Sequence, residues 1–383
     1  MDDLLTEAQQ QHHRTITALV GTAWSTHGPH WERDGELPEE VIRWCAAQGL
    51  FGAMIPKEYG GLGWSAVELG LLYEALGHIS ASLASLVNVH GMVARTLVRW
   101  GSDTQRETLL PDLASGRRIA AVCMTERTSG SDLSGITTTL GERPDGHRLD
   151  GTKLYTTFGL RADLYLVLAR GEGGQVCCLL ERGNPGLEVT PMTGLLGLRA
   201  AALATEVMRD CRVERDAVIG RPGFASTVLV PHLLEHGRHA VAWMAAGMLR
   251  RAFSQCSAFV LDRAVFGRNA VDHGQIQSLI TAMGVDAAAV RALCVTASRA
   301  LDACDGTATR KVLMAKYLAC QALERHSAQA VQAMGAQGCF EENGVAAVYR
   351  DAKVLSIIEG TPQLLERLLA VPLAREAAAG GRP

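Results

Sequence analysis

Apolar positions recur along this chain with two different periods, and the period changes twice. Up to about residue 118 they follow helical spacing. Segment 38–49 begins with Pro38, carries Glu39 and Glu40 in its first turn and ends at Gly49, which predicts a helix. Further helices are predicted over 65–77, 82–100 and 105–113. The stretch 55–63 holds Gly60, Gly61 and Gly63 and reads as a tight turn between helices. From Ile119 the pattern shortens. Segment 119–124 is an apolar run of buried-strand type, followed by candidate strands at 136–140, 147–149, 153–157, 163–169, 176–180, 187–191 and 203–213. Pro144-Asp-Gly146 and Asn184-Pro-Gly186 are turn signals between them. From Phe224 helices return, longer and alanine-rich, over 232–261, 275–302 and 311–334. Residues 374–383 read as a frayed tail.

This order predicts an α+β protein of three parts. A helical domain covers 1–118, a small β-barrel or sandwich covers 119–222, and a C-terminal four-helix bundle covers 223–383.

One junction is chemically distinctive. Val348, Ala352, Leu355 and Ile358 lie at helical spacing, Gly360 is placed to stop that helix, Thr361 to cap the next and Pro362 to start it. Glu359 therefore falls at a helix break, behind Ile357 and Ile358. In apolar surroundings its charged form is disfavoured, which moves its pKa toward that of a base working near neutral pH. A solvated glutamate at a helix end is the plain alternative.

Composition narrows the function. The chain has 383 residues, 48% hydrophobic and 20% charged, with net charge −3, as expected of a globular protein of two or three domains. No basic block supports nucleic-acid binding. The longest apolar runs, such as 240–248, are too short to span a bilayer. The N-terminus lacks the basic start and apolar core of a signal peptide, so a cytoplasmic enzyme is expected. Ten cysteines form no CxxC pair and twelve histidines show no metal-ligand spacing, so buried thiols and no metal are expected. There is no P-loop and no GxGxxG after a strand.

Several motifs, in order, resemble those of the acyl-CoA dehydrogenase superfamily of flavoproteins. Residues 55–63 look like its N-terminal glycine loop. Thr125-Glu-Arg-Thr-Ser-Gly-Ser-Asp132 is similar to TEPxxGSD, with Arg127 where proline is usual, and Gly151-Thr-Lys-Leu-Tyr-Thr-Thr157 is similar to GxKxWIT. Arg263-Ala-Val-Phe-Gly267 with Gln275, Gln332-Ala-Met-Gly-Ala-Gln-Gly338, Tyr349-Arg-Asp-Ala-Lys353 and Glu359-Gly-Thr361 complete the set. The resemblance covers about residues 35–372.

It implies an FAD enzyme in which Glu359 takes a proton from a thioester substrate while hydride passes to flavin N5. The backbone N–H of Glu359 and a flavin ribityl hydroxyl would polarise the thioester carbonyl. Met124, Thr125, Ser131, Tyr155 and Thr157 would hold the flavin, with Tyr155 replacing the usual tryptophan. Thr361 and Gln363 would join them. Arg263, Phe266, Gln332 and Gly335 would serve the FAD of a neighbouring subunit, which implies a homodimer or homotetramer. Ala336 stands where a second glycine is usual. Some branches carry the base beside the position of Arg238, where this chain has Gly237.

Arg127, His236-Gly-Arg-His-Ala-Val-Ala-Trp243 and the stretch 349–360 resemble the carrier-protein-dependent dehydrogenases of hydroxymalonyl and methoxymalonyl extender-unit biosynthesis. That branch implies a short hydroxyacyl thioester on an acyl carrier protein. Arg127, Ser131, Arg238, Arg199 and His90 are then candidate substrate partners; a packed histidine at 90 and solvated or structural arginines at 127, 199 and 238 are the plain alternatives. If an alcohol C–H is oxidised, Glu359 takes the hydroxyl proton instead. A short-chain acyl-CoA dehydrogenase is the alternative, and a flavin monooxygenase of the same fold a more distant one. Electron-transfer flavoprotein or oxygen would accept the electrons.

Overall fold

The computed structural model describes residues 2–25 and 27–380. The N-terminal domain is built from α1 (Glu7–Trp24), α2 (Gly28–Asp34), α3 (Glu39–Ala47), α4 (Ala66–Ile79), α5 (Ala81–Trp100) and α6 (Asp103–Ala114). Ser65 and Ser102 open α4 and α6 through capping boxes with Glu68 and Gln105. Thr6 and Gln9 do the same for α1, a helix that sequence spacing did not single out. Nearly all of α5 is buried, so it forms the axis of this domain.

The middle domain contains β1 (Ala120–Cys123), β2 (Thr139–Arg143), β3 (Gly146–Thr156), β4 (Leu164–Gly171), β5 (Gly174–Glu181), β6 (Leu187–Pro191), β7 (Ala204–Val213) and β8 (Val218–Ile219). Their order is β6-β7-β3-β2-β4-β5-β8, and β1 lies parallel beside β4. Two expectations are corrected. The segments 147–149 and 153–157 are one strand: the irregularity falls on β7, where Arg209 and Asp210 bulge opposite the single Asp150, whose carboxylate accepts the Asp210 N–H at 2.8 Å. Gly151 lies at φ +152°, and a Cβ there would come within 2.4 Å of Thr138 Oγ1. The strand expected from residue 136 begins at Thr139, since the Glu126 carboxylate takes the N–H groups of Thr137 and Thr138 at 2.6 and 3.0 Å.

The C-terminal domain packs α7 (Val230–Asp262), α8 (Gly274–Asp302), α9 (Ala308–Met334) and α10 (Val345–Ile357) as a bundle, followed by α11 (Pro362–Gly380). A small hairpin, β9 (Ala264–Val265) with β10 (Arg268–Asn269), joins α7 to α8. The expected frayed tail is corrected: its alanine-rich sequence continues α11 as an exposed helix through Gly380, and 381–383 lie outside the described residues. Contrary to the reading from apolar runs, α5 and α8 are long and apolar enough to cross a membrane; α5 is buried inside the protein, and α8 packs on α7 and α9. All ten cysteines are free, and only Cys304 and Cys339 are exposed.

The helical domains meet where α4 crosses α7 at glycines. A Cβ on Gly77 would lie 2.6 Å from Met244 O, and one on Gly247 would lie 2.1 Å from Glu74 O. Gly70 makes room for the fully buried Trp243. Gly77→Val should therefore cost about 1–3 kcal/mol through overpacking, read as a fall in the thermal midpoint by circular dichroism. Gly21→Ala, at a position open around its Cβ in α1, should leave that midpoint unchanged or raise it.

Candidate active site

The chain leaves α10 at Ile358, which is extended at φ −65°, ψ 157°. Glu359 then turns left-handed at φ +56°, ahead of Gly360 at φ +107°. The stop therefore falls before Gly360, where it was expected, and places a non-glycine residue in a conformation costing about 1–3 kcal/mol. Two buried cations hold it there. Arg238 Nε of α7 donates to Glu359 O at 2.9 Å. Lys316 Nζ of α9 donates to Ser356 O at 3.1 Å and Gly360 O at 2.6 Å. Both cations thus satisfy carbonyls that the helix end leaves without partners. Thr361 caps α11 as expected, accepting the Leu364 N–H at 3.4 Å.

The Glu359 side chain points inward. The residue keeps a small accessible edge, but Oε2 is enclosed and lacks a hydrogen-bond partner among the described residues. Burial raises its pKa to about 7, although Arg238 and Lys316 pull the other way. This is not a solvated helix-end glutamate. Gly237 of α7 provides the space: a Cβ there would sit 2.4 Å from Glu359 Cδ. The Glu359 N–H meets no acceptor among the described residues. The group can thus take up a proton near neutral pH, with a free donor beside it.

The residues expected to hold a flavin gather at the ends of β1 and β3. Thr125 O accepts the Leu154 N–H at 2.9 Å, and Lys153 Nζ donates to Met124 O at 3.1 Å. These bonds bring Met124 and Thr125 beside Tyr155 and Thr157. Tyr155 lies at φ +60° on a bulge and is 57% exposed, so its ring is open to a planar ligand. The Thr125 and Thr157 hydroxyls make no hydrogen bond among the described residues. Ser131 and Arg127 are exposed on the loop that follows Thr125, and Arg367 of α11 adds to the field at Asp132 in that loop. Gln363 is exposed in the first turn of α11.

Sequence reasoning missed the group that anchors this loop. Glu126 is buried and pairs with the fully buried Lys153 at 2.8 Å. Burial would raise its carboxyl, but bonds from Lys153, Thr137 and Thr138 outweigh that and hold it at about 2. Spacing of a lone Glu and a lone Lys, 27 residues apart, carries no such signal.

A second set converges elsewhere. Arg263, Phe266 and Gly335, with Ala336, line an open cleft of about 450 Å³ between the β9–β10 hairpin and the end of α9. Gln332 is exposed one turn earlier, and Phe266 is 95% exposed. Gly237 and Arg263 are 26 residues apart (263 − 237) along α7 and its cap, or roughly 40 Å of helix.

The architecture matches known proteins. Family models described as the N-terminal, middle and C-terminal domains of acyl-CoA dehydrogenase match residues 6–117, 121–211 and 227–373. The chain belongs to the acyl-CoA dehydrogenase family. Isobutyryl-CoA dehydrogenase of Dictyostelium discoideum is 26% identical over 97% of this chain and 90% of its own. Butyryl-CoA dehydrogenase from Megasphaera elsdenii has a TM-score of 0.92 at 26% identity, covering 97% of this chain and 99% of that one. FkbI, for biosynthesis of the methoxymalonyl extender unit of the Fk520 polyketide, has a TM-score of 0.87 at 31% identity, covering 94% and 99%. As in the family, the enzyme acts on the CH–CH bond of acyl thioesters and binds FAD. The open Tyr155 ring and the unbonded Thr125 and Thr157 hydroxyls suit that cofactor.

Two candidate substrate partners of this acyl-CoA dehydrogenase have other contacts in the structure, and His90 takes the packed alternative. His90 is fully buried; Nε2 lies 3.1 Å from Leu113 O, and Nδ1 accepts the Ala120 N–H at 3.2 Å. Burial lowers its pKa to about 4, so it is a neutral bracket between α5, α6 and β1. Arg199 is engaged by Leu195 O at 3.2 Å and Glu341 Oε1 at 3.3 Å. Arg238 does stand beside Glu359, though through the backbone carbonyl. Gly237→Ala should push the Glu359 carboxyl out of place and lower kcat/KM at least tenfold with the fold retained, checked by steady-state kinetics alongside circular dichroism.

Proposed function

We propose that Glu359 is the proton-abstracting base of this enzyme. The observation that carries the reading is its enclosed, unpartnered carboxyl oxygen on a group raised to about 7. Glu359 removes the substrate proton, and its own free N–H polarises the thioester carbonyl. FAD, when bound, supplies the hydride acceptor. Arg238 and Lys316 keep the backbone in the conformation that presents the carboxyl.

The substrate we favour is a short hydroxyacyl thioester on an acyl carrier protein, as in polyketide extender-unit assembly. The 31% identity with FkbI supports it. A physical argument comes from α5, where Ser82 Oγ, Ser85 Oγ and Asn88 Oδ1 are buried without a hydrogen-bond partner. Spaced by three, they share one face. That helix runs antiparallel to α7: Arg95 Nε meets His232 Nε2 at 2.9 Å, and a Cβ on Gly91 would face His236 Nε2 at 3.4 Å. The next turn of α5, at Asn88, therefore lies along the turn of α7 that starts at Gly237. An unpaired buried oxygen costs about 1–3 kcal/mol. A substrate hydroxyl would relieve that cost, and a hydrocarbon chain would not. A short-chain acyl-CoA is the second reading, favoured by the close match to butyryl-CoA dehydrogenase.

The cleft at Arg263 and Phe266 lies farther from Gly237 than one extended dinucleotide reaches. We infer that it serves the FAD of a second subunit, so that the working enzyme is at least a dimer.

Mass spectrometry of glyceryl-loaded carrier protein should show a loss of two hydrogens after incubation, with butyryl-CoA a poor substrate; turnover of the CoA ester alone would refute the carrier-protein reading. Glu359→Gln should lower kcat by about 10²–10⁴-fold. Because the base must be ionised, wild-type kcat/KM should climb with pH through about 7. Asn88→Leu should reduce hydroxyacyl turnover about tenfold while sparing butyryl-CoA, the signature of a residue that reads the acyl group.

A further inference from the structure

Away from Glu359, α1, α4 and α7 enclose a second cavity of about 240 Å³. Thr17 comes from α1, His78 from α4, and Arg250, Arg251, Ser254 and Gln255 from α7. Three polar atoms of its lining are enclosed and lack any hydrogen-bond partner among the described residues: Thr17 Oγ1, Arg250 Nε and Gln255 Oε1. Buried polar atoms are nearly always paired, so three together around one cavity point to a missing polar occupant.

The charges define its sign. The nearest acid to Arg250 is Glu74, but Nε stands 3.9 Å from Glu74 Oε1, beyond hydrogen-bond reach. Glu74 is already engaged by Arg291 Nε at 3.2 and 3.3 Å and faces His13 at 3.6 Å. Arg251 donates to the neutral Ile79 carbonyl at 2.7 Å. Its acids, Asp351 and Glu32, line a separate small cavity with it on the other side. Burial and the two arginines keep His78 neutral, with a pKa of about 4. The cavity therefore presents an unsatisfied guanidinium N–H, a hydroxyl and an amide that can be turned to donate, with no carboxylate bonded to Arg250. Guanidinium groups match oxyanions in charge and geometry.

We propose that this cavity is a binding site for a small oxyanion, phosphoryl or carboxylate, which ties α1 to the α4–α7 crossing. A ligand held only by the folded state stabilises it by mass action. The site lies 13 residues (250 − 237), or roughly 20 Å, along α7 from Gly237. It is therefore distinct from the thioester site.

The test uses FAD-loaded enzyme, so that the cofactor's own diphosphate site is filled. The thermal midpoint is followed against inorganic phosphate, with ionic strength held constant by sodium chloride, and against acetate and malonate in parallel. A saturable rise of several degrees is expected. A rise with phosphate alone assigns a phosphoryl ligand, and one with malonate or acetate a carboxylate. Arg250→Gln should weaken the fitted affinity at least tenfold, and Thr17→Val severalfold, by calorimetric titration of the same anion. An equal midpoint rise in both variants, or a rise that never saturates, would overturn the proposal, as would no rise with any of the three anions. Should Arg250→Gln fail to fold, Thr17→Val alone decides: unchanged affinity refutes the site.

Discussion

The site depends on how a helix is made to end. A backbone that stops at Ile358 leaves carbonyls with no partners, and here two cations from different helices answer them. Arg238 and Lys316 are themselves buried, and burial disfavours their charge. Each is stabilised by the carbonyl dipoles it meets and by the field of Glu359. The consequence for the carboxyl is a balance. Removal from water raises its pKa, the two cations lower it, and the result near 7 is what a base at neutral pH requires. The clamp that fixes the geometry and the field that tunes the acid are the same two side chains.

The flavin side is built on a parallel device, an ion pair hidden beneath a loop. Glu126 and Lys153 lie inside the β domain, and their bonds reach Met124 O, Thr137 and Thr138. Such a pair contributes little net stability once desolvation is counted. Its use is positional: it anchors the loop carrying Thr125 to the strand carrying Tyr155, so that the residues expected to hold the flavin are fixed by one scaffold. Glu206 has no cation bonded to it among the described residues, Arg182 acting only at a distance; it takes the Thr156 hydroxyl, and burial lifts its pKa to about 7. Of the two interior acids, the one with a lysine stays charged.

Much of this was legible in the chain because turn chemistry and periodicity are local. The helical–β–helical order, the α4 and α6 starts and the break at Glu359 all rest on residues within a few positions of one another. What escaped is non-local. Lys316 in an alanine-rich helix looks like any solvated lysine, and only the folded bundle brings it to Gly360, 44 residues later. His90 reads locally as a packed histidine, but the partners that hold it come from α6 and β1. The strand runs unbroken past Asp150 because β7 takes up the irregularity at Asp210, a partner 60 residues away. Gly360 drew attention as the helix stop, but the strained residue is its neighbour, and nothing in local propensity predicts a glutamate in the left-handed region.

Gly237 shows why the proposed base is a single group. The space its missing side chain leaves is filled by the Glu359 carboxyl, to within 2.4 Å of where a Cβ would stand. A carboxylate cannot occupy both positions, because two negative charges that close in an enclosed site would force one to stay protonated. Arg238 follows directly on α7, so the helix turn that withholds a side chain at 237 also delivers the cation that fixes the backbone of 359. An acid placed at 237 would inherit the same cavity but would sit on a regular helix without the strained, free N–H of Glu359. Base and carbonyl donor would then be separated. With the acid at 359, one residue offers both, and this is the physical reason the proposal places the chemistry at the break in the helix and not on the helix itself.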